Sequence, residues 1–131
     1  MAEHNELGHT GEEAAARYLM FHDYSIRSMN WRTGHKEIDI VAEKRGLLVF
    51  VEVKSRRDEA YGLPEDAVDE EKIHNLVSAA DTYMRYYELD MPVRFDIITV
   101  TGLSKPFHIR HIENAFSSPL YGSGQPFTSQ L

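Results

Sequence analysis

The stretch from Leu47 to Lys54 places a carboxylate and an ammonium at the end of an otherwise apolar strand. Its sequence, Leu-Leu-Val-Phe-Val-Glu-Val-Lys, is typical of a strand buried on both faces of a sheet. Glu52 and Lys54 are two residues apart, so their side chains point to the same face of that strand. Burying charged groups costs free energy unless they are paired or coordinated. The pattern therefore predicts either an ion pair or a functional site at this end of the sheet.

A second acidic motif, Glu37-Ile38-Asp39, precedes this strand along the chain. It lies in a predicted strand over residues 36–42, and Lys44-Arg45-Gly46 predicts a hairpin turn into the apolar strand. The hairpin would bring Asp39 beside Glu52. Two carboxylates suit Mg²⁺ or Mn²⁺, whose remaining ligands are waters and phosphate oxygens. We expect Lys54 to neutralise charge on a phosphate, or to orient and help deprotonate the attacking water.

A third carboxylate is expected from the first helix, which we predict over residues 8–21 with Thr10 as its cap. Glu12 is the candidate, although spacing alone does not exclude its neighbour Glu13. The structural alternative for the whole set is an ion pair of Glu52 and Lys54, with each other or with Arg56, at a strand end.

The bulk properties indicate a single globular domain. The chain has 131 residues, 42% hydrophobic and 27% charged, with no cysteine. Disulfides and thiolate metal sites are therefore excluded, and no apolar run approaches the roughly 20 residues of a membrane span. With no visible secretory signal, we expect a cytoplasmic protein with one domain over residues 1–116 and a flexible tail over residues 117–131.

The remaining elements complete an α/β pattern. Strands are expected over residues 25–33 and 93–101, a long helix over residues 65–89, and an edge strand over residues 106–112, followed by a helical turn over residues 113–116. The order of helix, three strands, helix and one or two strands predicts a mixed central sheet flanked by helices.

The formal charge of −7 argues against indiscriminate nucleic-acid binding by the whole surface. Basic residues nevertheless cluster on either side of the acidic motifs, and Lys36, Arg56 and Lys72 are the candidates for contacts to DNA. A solvated side chain is the alternative for Lys72. His108 and His111 are three apart in a predicted strand and point to opposite faces, so no zinc site is expected.

The order of these motifs resembles the YraN family. The matching segments run from Gly8-His9-Thr10-Gly11-Glu12 through Asn30-Trp31-Arg32, Glu37-Ile38-Asp39 and Phe50-Val51-Glu52-Val53-Lys54 to Arg94-Phe95-Asp96. That family is grouped with Holliday-junction-resolvase-like nucleases of the PD-(D/E)xK superfamily. The resemblance implies a restriction-endonuclease-like fold with Glu12, Asp39, Glu52 and Lys54 at the catalytic positions. His35-Lys36 departs from the family pattern, which usually has a glycine there.

Three functions follow as hypotheses. The first is a metal-dependent endonuclease acting on DNA, including branched or structured DNA, with Mg²⁺ or Mn²⁺ as cofactor. The second is a nucleic-acid-binding module of the same fold that does not cleave. The third is a protein-interaction role for the helix that carries Tyr83, Tyr86 and Tyr87. By analogy with enzymes that act on two-fold symmetric substrates, a homodimer is also expected.

Overall fold

The computed structural model describes residues 2–58 and 70–116, with side chains from residue 10 onward. These ranges contain the elements α1 (Ala2–Phe21), β1 (Ser25–Thr33), β2 (Lys36–Lys44), β3 (Leu47–Arg56), α2 (Glu70–Tyr86), β4 (Val93–Thr101) and β5 (His108–Phe116). The predicted tail, and the predicted start of the second helix at residue 65, lie outside the described residues.

The five strands form one mixed sheet in the order β1-β2-β3-β4-β5. β3 and β4 are parallel, and the other three neighbouring pairs are antiparallel. Arg45 and Gly46 both have positive φ, 53° and 78°, as a two-residue hairpin turn between β2 and β3 requires. The predicted mixed sheet with flanking helices is confirmed and is consistent with a restriction-endonuclease-like fold.

Each face of the sheet is covered by one helix. Leu19 and two alanines of α1 pack with buried residues of β2, β3 and β4 in one cluster, which includes Ile40, Val49, Val51 and Ile98. Leu76, Tyr83 and other residues of α2 pack in a second cluster, which includes Ile38, Phe50 and Phe95. β3 is therefore buried on both sides, and residues 48–51 are each 0% exposed. This confirms the interpretation of its apolar run.

Both helices end in a Schellman motif with a non-glycine residue in the left-handed region. After α1, Asp23 has a φ of 71°, and the Tyr24 N–H donates to the carbonyl of Leu19 at 3.0 Å. After α2, Glu88 has a φ of 52°, and the Leu89 N–H donates to the carbonyl of Met84 at 2.9 Å. α2 therefore ends at Tyr86, three residues before the predicted end.

The start of α1 differs from the prediction. The helix begins at Ala2, so Thr10 lies inside it and is not its cap, and Glu12 lies in the middle of the helix and not in its first turn. Alanine, glutamate and leucine dominate residues 2–7 and favour helix, so the polar N-terminal stretch continues the helix instead of ending it.

The predicted helical turn over residues 113–116 is wrong, because β5 continues to Phe116. The register shifts where Asp96 of β4 faces the segment between Ile112 and Phe116. Within it Asn114 adopts a φ of 54° and its N–H donates to Asp96 Oδ1 at 3.0 Å. This bulge interrupts the alternation of side chains, which made a strand look like a helical turn in the sequence.

Candidate active site

The site begins where β2 and β3 part. Their register runs from Lys44↔Leu47 to Ile40↔Val51, and Asp39 is the next residue of β2. At that point the N–H of Val53 donates to Asp39 Oδ2 at 2.8 Å, so a side chain takes the place of a ladder carbonyl. Beyond this point β3 is paired with β4 on its other side, as far as Arg56↔Thr101. The separation opens a gap between β2 and β3 that contains the Asp39 carboxylate.

Burial and neighbouring acids dominate the environment of Asp39. Burial and the charge of Glu52 raise the pKa of Asp39 to about 8, even though the hydrogen bond from Val53 opposes the shift. Glu12 and Glu37 raise that pKa further. Four carboxylates, brought from two strands and one helix, therefore act on one another in this region.

Glu52 lies in a similar environment, but the charges of two lysines partly offset its negative charge. Burial raises the pKa of Glu52, and Glu37 and Glu12 add to the shift. The charges of Lys54 and Lys72 oppose it without cancelling it. The acidic group thus carries more negative charge than the two lysines neutralise.

Lys54 is half-buried, and the amine of Lys72 contacts it. Burial lowers the pKa of Lys54, and Lys72 lowers it again through a hydrogen bond and its charge. Glu52 and Asp39 act in the opposite direction. Two amines side by side form a place where a phosphate would relieve the repulsion between them.

Close packing of α1 on β3 brings Glu12 to this region. A Cβ atom added at Gly11 would overlap Ser55 Oγ and lie 3.1 Å from Ser55 Cβ, so only glycine allows the helix to approach so closely. Glu12 is half-buried, whereas Glu13 is exposed. Since Glu12 is one of the charges that act on Asp39 and Glu52, the structure favours it over Glu13 as the third acid.

The three carboxylates do not form a ready-made metal centre. Within the residues that the structure describes, no group of three or more His, Cys, Asp or Glu side chains is arranged to hold a metal ion. Asp39 and Glu52 remain the candidate donor pair, and metal binding by them or by Glu12 stays a prediction. A pair of carboxylates is sufficient for Mg²⁺ when waters and substrate oxygens complete the shell.

The three cations predicted to contact DNA lie in different surroundings. Lys36 Nζ donates to Ser78 Oγ of α2 at 2.8 Å, which fixes it against the helix. Lys72 lies beside Lys54, and the carbonyl of Arg56 accepts a hydrogen bond of 2.8 Å from the N–H of Gly102. Their role in binding stays a prediction.

One polar cluster was only partly foreseen. Arg94 and Asp96 are two residues apart on β4, a spacing that lets their side chains pair, and Arg94 Nη2 lies 2.7 Å from Asp96 Oδ2. His111 Nε2 also lies 2.7 Å from Asp96 Oδ2, and Arg94 donates to the Tyr24 hydroxyl at 2.7 Å. The bulge in β5 turns residues toward Asp96, and no sequence pattern signalled it.

The sequence matches a family model and several relatives of the same family. The family model described as "Uncharacterised protein family UPF0102" matches residues 11–100. A UPF0102 protein of Bacteroides fragilis is 57% identical over 121 residues, which are 92% of this chain and all of that protein. UPF0102 proteins of Parabacteroides distasonis and Flavobacterium psychrophilum are 47% and 46% identical, over 91% and 88% of this chain and 98% of each relative. The matched range includes every candidate site residue.

Proposed function

The chain belongs to the UPF0102 family, and from that premise we propose that it is a metal-dependent endonuclease that hydrolyses phosphodiester bonds of DNA. One observation carries the proposal: Asp39 and Glu52, both half-buried, lie where β2 and β3 part, beside Lys54, and the charge of Glu52 acts on Asp39. Acids whose charge is disfavoured by burial and by like charges cost stability, and such groups are concentrated at functional sites. Branched or structured DNA is the candidate substrate, from the resemblance to resolvase-like nucleases.

The donor set fits a hard divalent cation. Oxygen ligands from one or two carboxylates, with open positions for water and phosphate, are what Mg²⁺ and Mn²⁺ take. Asp39 and Glu52 would hold the ion, with Glu12 as a further acid in the same charge field. When bound, the ion supplies charge neutralisation and lowers the pKa of water.

Other residues of the chain would position the Asp39 carboxylate and neutralise charge on the phosphate. The N–H of Val53 fixes the Asp39 carboxylate through a 2.8 Å hydrogen bond. Lys54 and Lys72 present two amines where the non-bridging phosphate oxygens gain negative charge during in-line attack by water. The water oxygen forms a new bond to phosphorus and loses a proton to solvent, one phosphorus–oxygen ester bond breaks, and the departing alkoxide takes up a proton from solvent.

The test is cleavage of linear, nicked and four-way DNA by the purified chain, with Mg²⁺, with Mn²⁺ and with EDTA. We expect metal-dependent cleavage that Glu52→Gln and Lys54→Ala each reduce by about 10²-fold or more. Glu43→Gln is the matched control, because Glu43 lies on β2 but pairs with Arg27 at 3.3 Å outside the acidic group. Equal activity in parent, Glu52→Gln and Lys54→Ala would assign the cleavage to a contaminant.

Two other results would replace the proposal. Metal-independent DNA binding without cleavage of any substrate would make the chain a binding module of the same fold. Failure to bind any DNA, together with self-association that nuclease treatment does not affect, would favour a role in protein assembly.

A further inference from the structure

A groove on the α1 face of the protein lies outside the acidic site. It has a volume of about 450 Å³, and its lining includes Ala14, Arg17, Tyr18 and Phe21 of α1, with Phe107 and Ile109 on its other side. The four helix residues follow the i, i+3, i+4, i+7 spacing and share one face of α1. Phe21 is 85% exposed, which is unusual for a large apolar side chain.

The groove combines aromatic rings with positive charge. The Tyr18 and His22 rings lie 4.2 Å apart, and those of Phe21 and His22 lie 5.6 Å apart. Arg17 and Lys105 are the charged residues of the lining, and none of its described residues is acidic. In a chain of net charge −7, a groove with cations and no acid is a local exception.

Tyr18, which lines the groove, is held in position by a hydrogen-bonded chain of side chains. The Tyr18 hydroxyl lies 3.2 Å from His111 Nδ1, and the other ring nitrogen of His111 is bonded to the buried Asp96. The Tyr18 ring is therefore fixed before any ligand arrives, which reduces the entropy cost of stacking against this part of the groove.

The groove and the acidic site approach the same end of the sheet from opposite faces, because Glu52 and Lys54 share the α2 face of β3 with Phe50, whereas the groove lies on the α1 face. Ser55, next to Lys54, is in register with Val100 of β4, and Val100 is in register with Ile109 of the groove. Two strand spacings, about 10 Å, therefore separate the backbones of Ser55 and Ile109. Along α1, Glu12 and Phe21 are about 13 Å apart at 1.5 Å per residue.

We propose that this groove binds an unpaired DNA strand that passes from the acidic site around the end of the sheet, with bases stacked on Phe21 and phosphates paired with Arg17 and Lys105. Single-strand recognition combines cations that contact the phosphate backbone with aromatic rings on which bases stack. The charge favours a polyanion over an apolar peptide. The proposal rests on the proposed function for its ligand, and it narrows the substrate to DNA with a single-stranded arm.

The test is fluorescence anisotropy in EDTA with the full chain carrying Glu52→Gln, so that neither cleavage nor metal enters the measurement. The probes are a labelled oligothymidylate of about 12 nucleotides and an abasic oligomer of the same length, which keeps the phosphates and lacks the bases. Phe21→Ala is expected to weaken oligothymidylate binding about tenfold and to leave abasic binding unchanged.

Replacing both Arg17 and Lys105 by alanine is expected to weaken binding of both probes. It should also flatten the dependence of log K on log salt by about 1.4, since each phosphate contact on a single strand contributes about 0.7. Tyr86→Ala and Arg85→Ala are the controls, because these residues of α2 are 71% and 72% exposed and lie outside the groove.

The outcomes separate this proposal from the nuclease. Unchanged oligothymidylate affinity in Phe21→Ala, an equal loss for both probes in that variant, or an equal loss in Tyr86→Ala would overturn the groove and leave the nuclease standing. Loss of oligothymidylate binding in Phe21→Ala would support the groove even if the chain cleaves nothing.

Discussion

Asp39 and Asp96 lie on different strands of one sheet, and their surroundings act on them in opposite directions. Burial pushes up the pKa of Asp96, but hydrogen bonds from His111, Arg94 and the N–H of Asn114 outweigh it and hold that pKa below its usual value. Asp39 receives one N–H and faces other acids, so its pKa rises to about 8. Asp96 is therefore a satisfied structural charge, whereas burial and the neighbouring acids oppose the charge of Asp39.

Asp39→Asn should make the fold less sensitive to pH and more stable in alkali. An acid whose pKa rises on folding stabilises the fold below its unfolded pKa, and that contribution is lost as pH rises through about 8. Asparagine keeps an acceptor for the Val53 N–H and carries no charge. Urea unfolding in EDTA should find parent and variant alike near pH 4 and the variant more stable by up to about 5 kcal/mol at pH 9, since a pKa change of one corresponds to about 1.4 kcal/mol.

Asp96→Asn is the contrasting variant for that measurement. The lowered pKa of Asp96 means that its contribution is present above the unfolded pKa and is lost as pH falls through the folded pKa. It should therefore cost about 3 kcal/mol at pH 7 and progressively less in acid. The same pH trend in both variants would contradict the opposite environments of the two aspartates.

At the scale of elements, the sequence was informative where periodicity and turn chemistry agree. The bounds of β1 and β4 are those predicted, and the apolar run of β3 is the buried strand expected of it. The two errors have different causes, because a bulge at Asn114 interrupts the alternation of β5, whereas helix-favouring residues before Thr10 extend α1.

The site was predictable in its residue types and in part of its geometry. Strand alternation alone places Glu52 and Lys54 on one face. The hydrogen bond between Asp39 and Val53 was not predictable, because it depends on where β2 and β3 stop pairing, which is a tertiary property. The amine pair of Lys54 and Lys72 depends on the packing of α2, and sequence spacing carries no such information.

The approach of α1 to β3 gives an element-scale prediction. Gly11→Ala should push α1 away from Ser55 and cost about 1–3 kcal/mol, because the new Cβ has no room. Ser55→Ala in the same chain removes the overlapping Oγ and should restore most of the loss, leaving only the tighter contact with Ser55 Cβ at 3.1 Å. Thermal unfolding of the two single variants and the double variant measures the coupling.

The same set of variants reports on the site. If α1 carries Glu12 into the acidic group, Gly11→Ala should reduce cleavage more than Ala14→Ser, a substitution one turn along the helix. Additive stability effects of Gly11→Ala and Ser55→Ala would show that the two residues do not meet.

At the scale of the whole molecule, the acidic site exists only in the complete fold. Its acids come from α1, β2 and β3 and its second amine from α2, with the two helices on opposite faces of the sheet. Within the described residues no helix is long and apolar enough to cross a membrane. Since the unfolded chain scatters these groups, a ligand of the site should stabilise the entire fold cooperatively.

Divalent cations should therefore raise the melting temperature of the parent chain. A tenfold excess of Mg²⁺ over its dissociation constant adds about 1.4 kcal/mol, or about 5 °C for a domain of this size. EDTA should reverse the shift, and Asp39→Asn and Glu52→Gln should abolish it, whereas Glu43→Gln should leave it intact. The shift in Glu12→Gln measures whether the helix acid takes part. Because this measurement needs no DNA, an equal shift in Asp39→Asn and the parent would place the ion elsewhere, whatever the cleavage assays show.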